Sequence, residues 1–307
     1  MINSILIGDL ILDNYVFGSV ERISPEAPIP VLNHIEQKLV LGGALNVGSN
    51  LNNLGNNTHE IGIIGKDEAG DAICKLMKED GISSEYIVRD KNTMTSKKTR
   101  FITNSQQLLR WDVEKNAYSE RNEKKLIKKI KSLIKKTDFV VISDYKKGVC
   151  SKNLLHETIK IANKGKIKVF IDPKGSDFNK YKKAYCITPN ILETKAVYNK
   201  PLVTNKNFEN ACKFICDTFD IETCIITRGK DGMTIYDSEN YHHIKSNVKD
   251  VFDVSGAGDT VVATLSTYHT KGKTLIDAAK IANLAAQHVV SKFGTTPINQ
   301  EELNSYL

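Results

Sequence analysis

The sequence predicts an α/β protein: a mainly parallel, doubly wound sheet with helices on both faces, carrying a small β-sheet lid. From about residue 138 onward, short β-branched runs alternate with amphipathic segments, as in a parallel sheet covered on both sides. Polar residues collect after one run after another, where strands of such a sheet would end. Two further stretches, Val31 to Leu41 and Ile87 to Val113, have strand character without intervening helices. Those two do not fit the alternation and predict a separate, small antiparallel sheet.

Ile5 to Ile7 reads as the first strand and Glu60 to Ile64 as another. Helices are predicted after them, at Gly43 to Leu54 and Ala69 to Glu79. The lid draws on about residues 14–41 and 87–113. In Lys124 to Lys136, the apolar residues Ile127, Ile130 and Ile134 fall at helical spacing, so the lysines occupy the outer face. Phe139 to Ser143, Ile167 to Ile171, Ala184 to Thr188 and Thr223 to Thr227 are the later strands. Between them come a helix at Leu154 to Ala162 and one carrying Phe208, Ala211, Phe214 and Ile215. No repeat or linker interrupts the chain, and one domain is expected over 1–307.

Of 307 residues, 40% are hydrophobic and 26% charged, which excludes a disordered or collagen-like chain. A core of this size needs no disulfide or metal staples. Forty-three bases against 36 acids give +7. That excess could attract nucleic acid, a membrane surface or an anionic metabolite, and it selects none of them. The lysine-rich segment interleaves no aromatic residue for base stacking, so it reads as a solvated helix face and no nucleic acid partner is expected. Six cysteines without a Cys-x-x-Cys pair read as reduced, mostly buried thiols. There is no basic n-region, and no uninterrupted apolar run of about 18 residues. A cytoplasmic protein without a membrane partner is expected.

In open α/β sheets the ligand lies outside the carboxyl ends of the strands. Here the first strand ends in Gly8-Asp9, with Asp13 soon after. Later ones end in Asp144-Tyr145-Lys146-Lys147-Gly148, Asp172-Pro173-Lys174-Gly175, Pro189-Asn190 with Glu193, and Arg228-Gly229. Acids, bases and an amide on one rim suit a site handling phosphates and a metal. A single Asp at such a place is more commonly a helix cap or turn former.

The most specific local feature is Gly256-Ala257-Gly258-Asp259, leading into Val261, Val262, Leu265 and Tyr268. A glycine-rich turn opening a helix aims unpaired amides at one point, and the helix dipole adds positive potential. Asp259 beside them could take the proton of an attacking hydroxyl. Alternatively the glycines make a tight turn and Asp259 favours the helix start. No Lys-Ser/Thr follows, so this is not a Walker loop, and the protein-kinase signatures are absent. Gly42-Gly43, with Asn46 shortly after, is a second such pair: either a close approach of backbone to ligand or a tight start to a helix.

These residues together resemble the ribokinase-like (PfkB) carbohydrate kinases. The resemblance rests on Gly42-Gly43-x-x-Asn46, Asn190-x-x-Glu193 and Gly256-Ala-Gly-Asp259, and runs from Ile5 to about Pro297. Within the family the chain is most similar to the heptose 7-phosphate kinase subgroup. The matching segments are Gly8-Asp-Leu-Ile-Leu-Asp13-Asn-Tyr15, Arg22-Ile-Ser-Pro-Glu-Ala-Pro-Ile-Pro-Val31, Ser143-Asp144-Tyr145-x-Lys147-Gly148, Asp172-Pro-Lys174-Gly175 and Thr188-Pro-Asn190. Ser255 stands where threonine is commoner. The sequence stops at Leu307, without the nucleotidyltransferase domain usually fused behind this kinase, so a separate nucleotidyltransferase is expected in the pathway.

The resemblance implies transfer of the ATP γ-phosphoryl to the anomeric hydroxyl of D-glycero-β-D-manno-heptose 7-phosphate, on the way to ADP-heptose and lipopolysaccharide. Asp259 would be the base, and the amides of Gly256, Ala257 and Gly258 the anion hole. Asn190 and Glu193 would organise Mg²⁺ through water. Asp13, Gly42, Gly43 and Asn46 would hold the sugar, with Arg100 and Lys174 on its distal phosphate and Arg110 and Lys147 as weaker candidates. Thr227, Arg228, Gly229 and Asn283 would lie around the adenine, Asn283 being equally readable as structural. The lid would close over the sugar and form a homodimer. The alternatives are another PfkB-type sugar or sugar-phosphate kinase, and a non-catalytic sugar- or nucleic-acid-binding regulator.

Overall fold

The computed structural model describes residues 1–103, 106–246, 253–292 and 296–304. The first third of the chain contains β1 (Ile2–Gly8), β2 (Leu10–Ile23), β3 (Pro30–Gly43), α1 (Ala44–Asn53), β4 (Asn56–Ile61) and β5 (Ile63–Gly65). Then come α2 (Glu68–Glu79), β6 (Val88–Asp90), β7 (Ser96–Thr103), β8 (Gln106–Val113) and α3 (Glu120–Leu133). The middle comprises β9 (Phe139–Ser143), α4 (Lys152–Lys164), β10 (Lys168–Asp172), β11 (Cys186–Ile187), α5 (Ile191–Val197), α6 (Asn205–Phe219) and β12 (Thr223–Thr227). A hairpin of β13 (Met233–Tyr236) and β14 (Tyr241–Ile244) precedes α7 (Ala257–Thr270), α8 (Leu275–Val290) and α9 (Gln300–Asn304).

Eight strands form the main sheet in the order β14-β13-β12-β11-β10-β9-β1-β4. The six from β12 to β4 run parallel, and the hairpin closes one edge antiparallel. Alternation along each central strand divides its side chains between two cores. Ile5, Val140, Val169 and Ile226 face the side covered by α3, α4 and α6. Leu6, Val141, Phe170 and Ile225 face α1, α2, α7 and α8. Burial on both faces is why these strands read as unbroken apolar runs rather than as alternating ones. All six cysteines are free, and five are buried.

The second sheet has the order β3-β2-β7-β8 and departs from expectation in three respects. It starts at Leu10 rather than near residue 14, because Leu10 to Asp13 already pair with Gly43 to Val40. Its central pair, β2 with β7, is parallel rather than antiparallel. Residues 88–90 leave it to pair as β6 with β5 in a third, two-stranded sheet. That also removes Ile63 and Ile64 from the predicted Glu60 to Ile64 strand of the main sheet. Of the predicted stretch Ile87 to Val113, Asn104 and Ser105 lie outside the described residues.

Of the helices with described caps, six start on an Asp, Ser, Thr or Asn side chain that accepts a backbone N–H. The other two, α1 and α7, start on glycines and have no side-chain cap. Their first-turn amides are therefore left for another partner.

One buried acid has no counter-charge. Glu60, on edge strand β4, is fully buried; Oε1 accepts from Asn52 at 3.0 Å, and Oε2 has no partner. Burial pushes its carboxyl up to about 7. An unfolded chain would lose this proton near the ordinary value of 4.5, so stability falls as pH rises from there to about 7. The full loss is roughly 3 kcal/mol. Glu60→Gln should therefore raise Tm relative to the parent at pH 8, with little gain at pH 5, as read by calorimetry across that range.

Candidate active site

Sequence order reverses between β1 and β9, the topological switch point of the parallel sheet, where a crevice opens at the carboxyl ends. Asp9 follows β1 there. Its Oδ2 accepts the amides of Tyr145 and Lys147 at 2.9 and 3.0 Å, and its Oδ1 that of Val149 at 3.0 Å. The loop after β9 is thus clamped onto the end of β1. Asp144, in the same loop, accepts from Tyr181 Oη at 2.7 Å and from the Lys180 ammonium. Asp9, Asp144 and Cys150 lie close enough to suggest a metal cluster, but the two carboxylates are already occupied by these donors.

Asp259 sits in the first turn of α7 and is 4% exposed. Asn46 Nδ2, from the first turn of α1, donates to its Oδ2 at 2.7 Å, and Tyr145 Oη donates to its Oδ1 at 2.7 Å. Burial pushes the Asp259 carboxyl above its ordinary value, and Asp13 pushes it the same way. The two hydrogen bonds and the charge of Lys98 oppose that rise. The turn before it has Gly256 in the left-handed region (φ 81°), and the amide of Ala257 bonds the Val254 carbonyl at 3.3 Å.

On the sheet of β2, β3, β7 and β8, Asp13 Oδ1 pairs with Arg100 Nη1 at 2.7 Å, both side chains well covered. The Arg100 guanidinium also lies over the Tyr15 ring, 5.1 Å from its centroid. Gly42 makes room for this pair: a Cβ there would stand 2.1 Å from Asp13 Oδ2. Gly43 turns the chain into α1 at φ 58°, where a Cβ would meet the Asp9 carbonyl at 2.6 Å. Two residues before Arg100, and so on the same face of β7, Lys98 places its ammonium 5.3 Å from the centroid of the Tyr145 ring. Burial pulls the Lys98 ammonium below its ordinary value, against the pull of Asp13 and Asp112.

Six of the eight predicted nucleotide residues meet at a cavity of about 450 Å³ next to the α7 turn, and Glu193 and Gly256 do not line it. It is lined by Asn190, Thr227, Arg228, Gly229, Gly258 and Asn283, with Val254, Val261, Ala286 and Val290 as apolar walls. Four of the expected side chains have other partners. Asn283 Nδ2 holds the Lys245 carbonyl at 3.0 Å. The Arg228 guanidinium bonds Asn205 and lies over Phe208. Asn190 and Glu193 form a reciprocal capping box on α5.

Lys174 is placed with that group and not with Arg100: its Nζ pairs with Glu193 Oε1 at 2.8 Å. Arg110 pairs with Asp112 at 3.0 Å, and Lys147 with Glu114. Asp172, at the end of β10, is pushed far up by burial and by the carboxylates of Asp259 and Glu193. Its Oδ1 would lie 3.9 Å from a Cβ on Gly258, so this carboxyl borders the amide turn.

Three residues here escaped the sequence reading. Lys98 was discoverable from its period-2 spacing to Arg100. Tyr145 and Asp172 were on the strand-end rim, but nothing local separated them from turn residues.

A buried carboxylate beside open helix-start amides, with a cavity on one side and a cation–carboxylate pair on the other, defines a class: phosphotransferases acting on a small hydroxylated molecule. The description "pfkB family carbohydrate kinase" matches residues 1–302, and the chain belongs to that family. It is 39% identical over 305 residues to the bifunctional protein HldE of Aliarcobacter butzleri, covering 99% of this chain and 64% of that protein. Against the bifunctional protein HldE of Campylobacter fetus it is 38% identical, covering 99% and 66%. The chain thus spans less than two thirds of the length of these curated relatives.

Among solved structures, phosphofructokinase-2 from Escherichia coli, in complex with potassium, superposes with a TM-score of 0.85 at 19% identity, covering 99% of this chain and 98% of that one. Arabidopsis thaliana ribokinase, complexed with ribose and ATP, gives 0.78 at 17%, with 99% and 98% covered. The fold is therefore ribokinase-like, and the chain is a carbohydrate kinase. The reading as a non-catalytic regulator falls with that membership. Among the described residues no helix is long and apolar enough to cross a membrane.

Gly42→Ala tests the sheet-borne half of the site. The added methyl must displace Asp13 from Arg100, and kcat/KM for the sugar acceptor should drop about 10²-fold in an ADP-release assay. Tm should move little, because only a side-chain end is displaced.

Proposed function

We propose that the chain transfers the γ-phosphoryl of ATP to the anomeric hydroxyl of D-glycero-β-D-manno-heptose 7-phosphate, giving the β-1,7-bisphosphate for ADP-heptose and lipopolysaccharide synthesis. The observation that carries this is Asp259, a buried carboxylate at the open start of α7, within reach of both the cavity and the Asp13–Arg100 pair. Its support at the level of substrate is the HldE likeness along 99% of the chain together with the Arg22 to Val31 segment.

In this reading the anomeric hydroxyl gives its proton to Asp259 while its oxygen forms a bond to the γ-phosphorus. The bond from that phosphorus to the bridging oxygen of ADP breaks, and the electron pair leaves with ADP. Positioning and charge neutralisation carry most of the rate in such transfers. The amides of Gly256 and Gly258 face the developing charge, with Ala257 joining if its bond to Val254 opens. Losing one preorganised donor of this kind typically costs about 2.7–4 kcal/mol. The apolar walls of the cavity and Thr227 to Gly229 receive the adenine.

Asn190 and Glu193 would hold Mg²⁺, with Asp172 beside them, and the ion would supply neutralisation of phosphate charge. The donor set fits, because Asp172 and Glu193 bring like charges together that a divalent cation would relieve. Asp13 and Asn46 offer their remaining acceptor and donor capacity to sugar hydroxyls. Arg100 spends one of its five donors on Asp13 and turns the others to the distal phosphate, while Lys174 lies with Glu193 beside the cavity. Adenylyl transfer belongs to a nucleotidyltransferase outside residues 1–307. ATP use places the reaction in the cytoplasm.

The β2–β3–β7–β8 sheet closes over the sugar, and its apolar outer residues seat a second copy of the chain. Ile35, Leu109 and Trp111 on it are 68%, 60% and 58% exposed. Sedimentation should find a dimer that Leu109→Glu together with Trp111→Glu converts to monomer; a monomeric parent refutes this.

Turnover with the heptose 7-phosphate and a bisphosphate identified by phosphorus NMR are the expected results. Good turnover with ribose or fructose 6-phosphate and none with the heptose would move the assignment to another kinase of the family. Asp259→Asn should lower kcat by roughly 10²–10⁴-fold with ATP binding retained, and full kcat in that variant would refute the base.

A further inference from the structure

Tyr145 is unaccounted for in the reading above, yet its hydroxyl has one recorded acceptor, Asp259 Oδ1, at 2.7 Å. We propose that Tyr145 is the positioning residue of this site, fixing the Asp259 carboxylate in place, with Lys98 acting through the Tyr145 ring. The proposal rests on Asp259 being the base.

The geometry is specific. Each carboxylate oxygen of Asp259 receives one donor, Oδ2 from Asn46 and Oδ1 from Tyr145. Two donors from different elements fix both the position and the plane of the carboxylate, leaving one lone pair per oxygen for the acceptor hydroxyl. Tyr145 can hold that position because its own backbone is immobilised: Asp9 takes its amide and those of Lys147 and Val149. Asp144 takes the amide of Lys146 at 2.7 Å. The phenol cannot exchange roles with the carboxylate. Burial, then the charges of Asp259 and Asp172, hold its proton on far above the ordinary tyrosine range. It is a permanent donor.

The groups facing Asp259 pull in both directions. Asp13 from β2 and Asp172 from β10 favour its protonated form. Lys98 from β7 opposes them, and Tyr145 and Asn46 oppose them by hydrogen bonding. Lys98 also lies over the Tyr145 ring, where its positive charge withdraws electron density and makes the phenol a better donor. Arg100 pairs with Asp13 through Nη1.

Tyr145→Phe keeps the ring under Lys98 and deletes only the hydroxyl. With MgATP and heptose 7-phosphate, kcat should fall about 10- to 100-fold while both KM values hold. The acid limb of kcat/KM should move to higher pH, because a carboxylate that loses a donor binds its proton more tightly. Lys98→Met should shift the limb the same way, and the double variant by less than the sum. Without substrate, ¹³C-carboxyl NMR of aspartate-labelled protein, assigned with Asp259→Asn, should show Asp259 titrating at higher pH in Tyr145→Phe. A purely structural tyrosine would lower Tm and leave both titrations where they were. Full kcat with an unmoved limb in Tyr145→Phe, beside an inactive Asp259→Asn, would overturn this proposal alone; an active Asp259→Asn would remove the base and this proposal with it.

Discussion

Asn46 and Asp259 are 213 residues apart and meet at 2.7 Å. Each stands in the first turn of a helix that begins on a glycine with no side chain capping it. The first amide of each helix is taken by a backbone carbonyl, Ala44 by Asp9 and Ala257 by Val254. Converging two starts that have no side-chain cap brings the rest of both first turns and two dipole ends to one spot. A buried carboxylate is costly unless donors surround it, and this is one place in the fold with donors to spare. The rest of the site is arranged around that solution. The loop after β9 is tied to Asp9 and brings a phenol, the small sheet brings cations, and the cavity opens along the far side of the α7 turn.

The main sheet was legible because its strands are buried on both faces. Ile5, Leu6 and Ile7 alternate between two cores, so every position is apolar and the run stands out. The helices were legible from their amphipathic spacing. The small sheet was legible as a location and not as a topology. Its β2 begins with Leu10, Ile11 and Leu12, all buried, which looks like a continuation of β1 until Gly43 is seen to pair back on it. The parallel register of β2 with β7 is a long-range pairing, for which a sequence carries no local signal.

Among site residues, motif positions were placed together while the partners of their side chains were not foreseeable. Lys174 and Glu193 are 19 residues apart, and their pairing follows from how β10 and α5 leave the sheet. Asn190 and Glu193 read as metal residues, and the fold also uses them as the cap of α5. The two uses agree if the cap orients Glu193. Asn283 bonds the Lys245 carbonyl and also lines the cavity, so the fold uses it structurally at the edge of the expected adenine site. Tyr145 lay in plain sight after a strand, but its importance comes from a contact 114 positions away.

The parallel pairing of β2 with β7 makes the cations of the small sheet depend on a distant stretch of chain. Partners such as Asn14 and Thr99 are 85 residues apart, and the intervening chain contributes α1 and β4 to the body. Lys98 and Arg100 therefore stand opposite Asp259 and Asp13 only in that long-range register. A chain with the small sheet unpaired would keep its buried acids and lose two of the cations that face them.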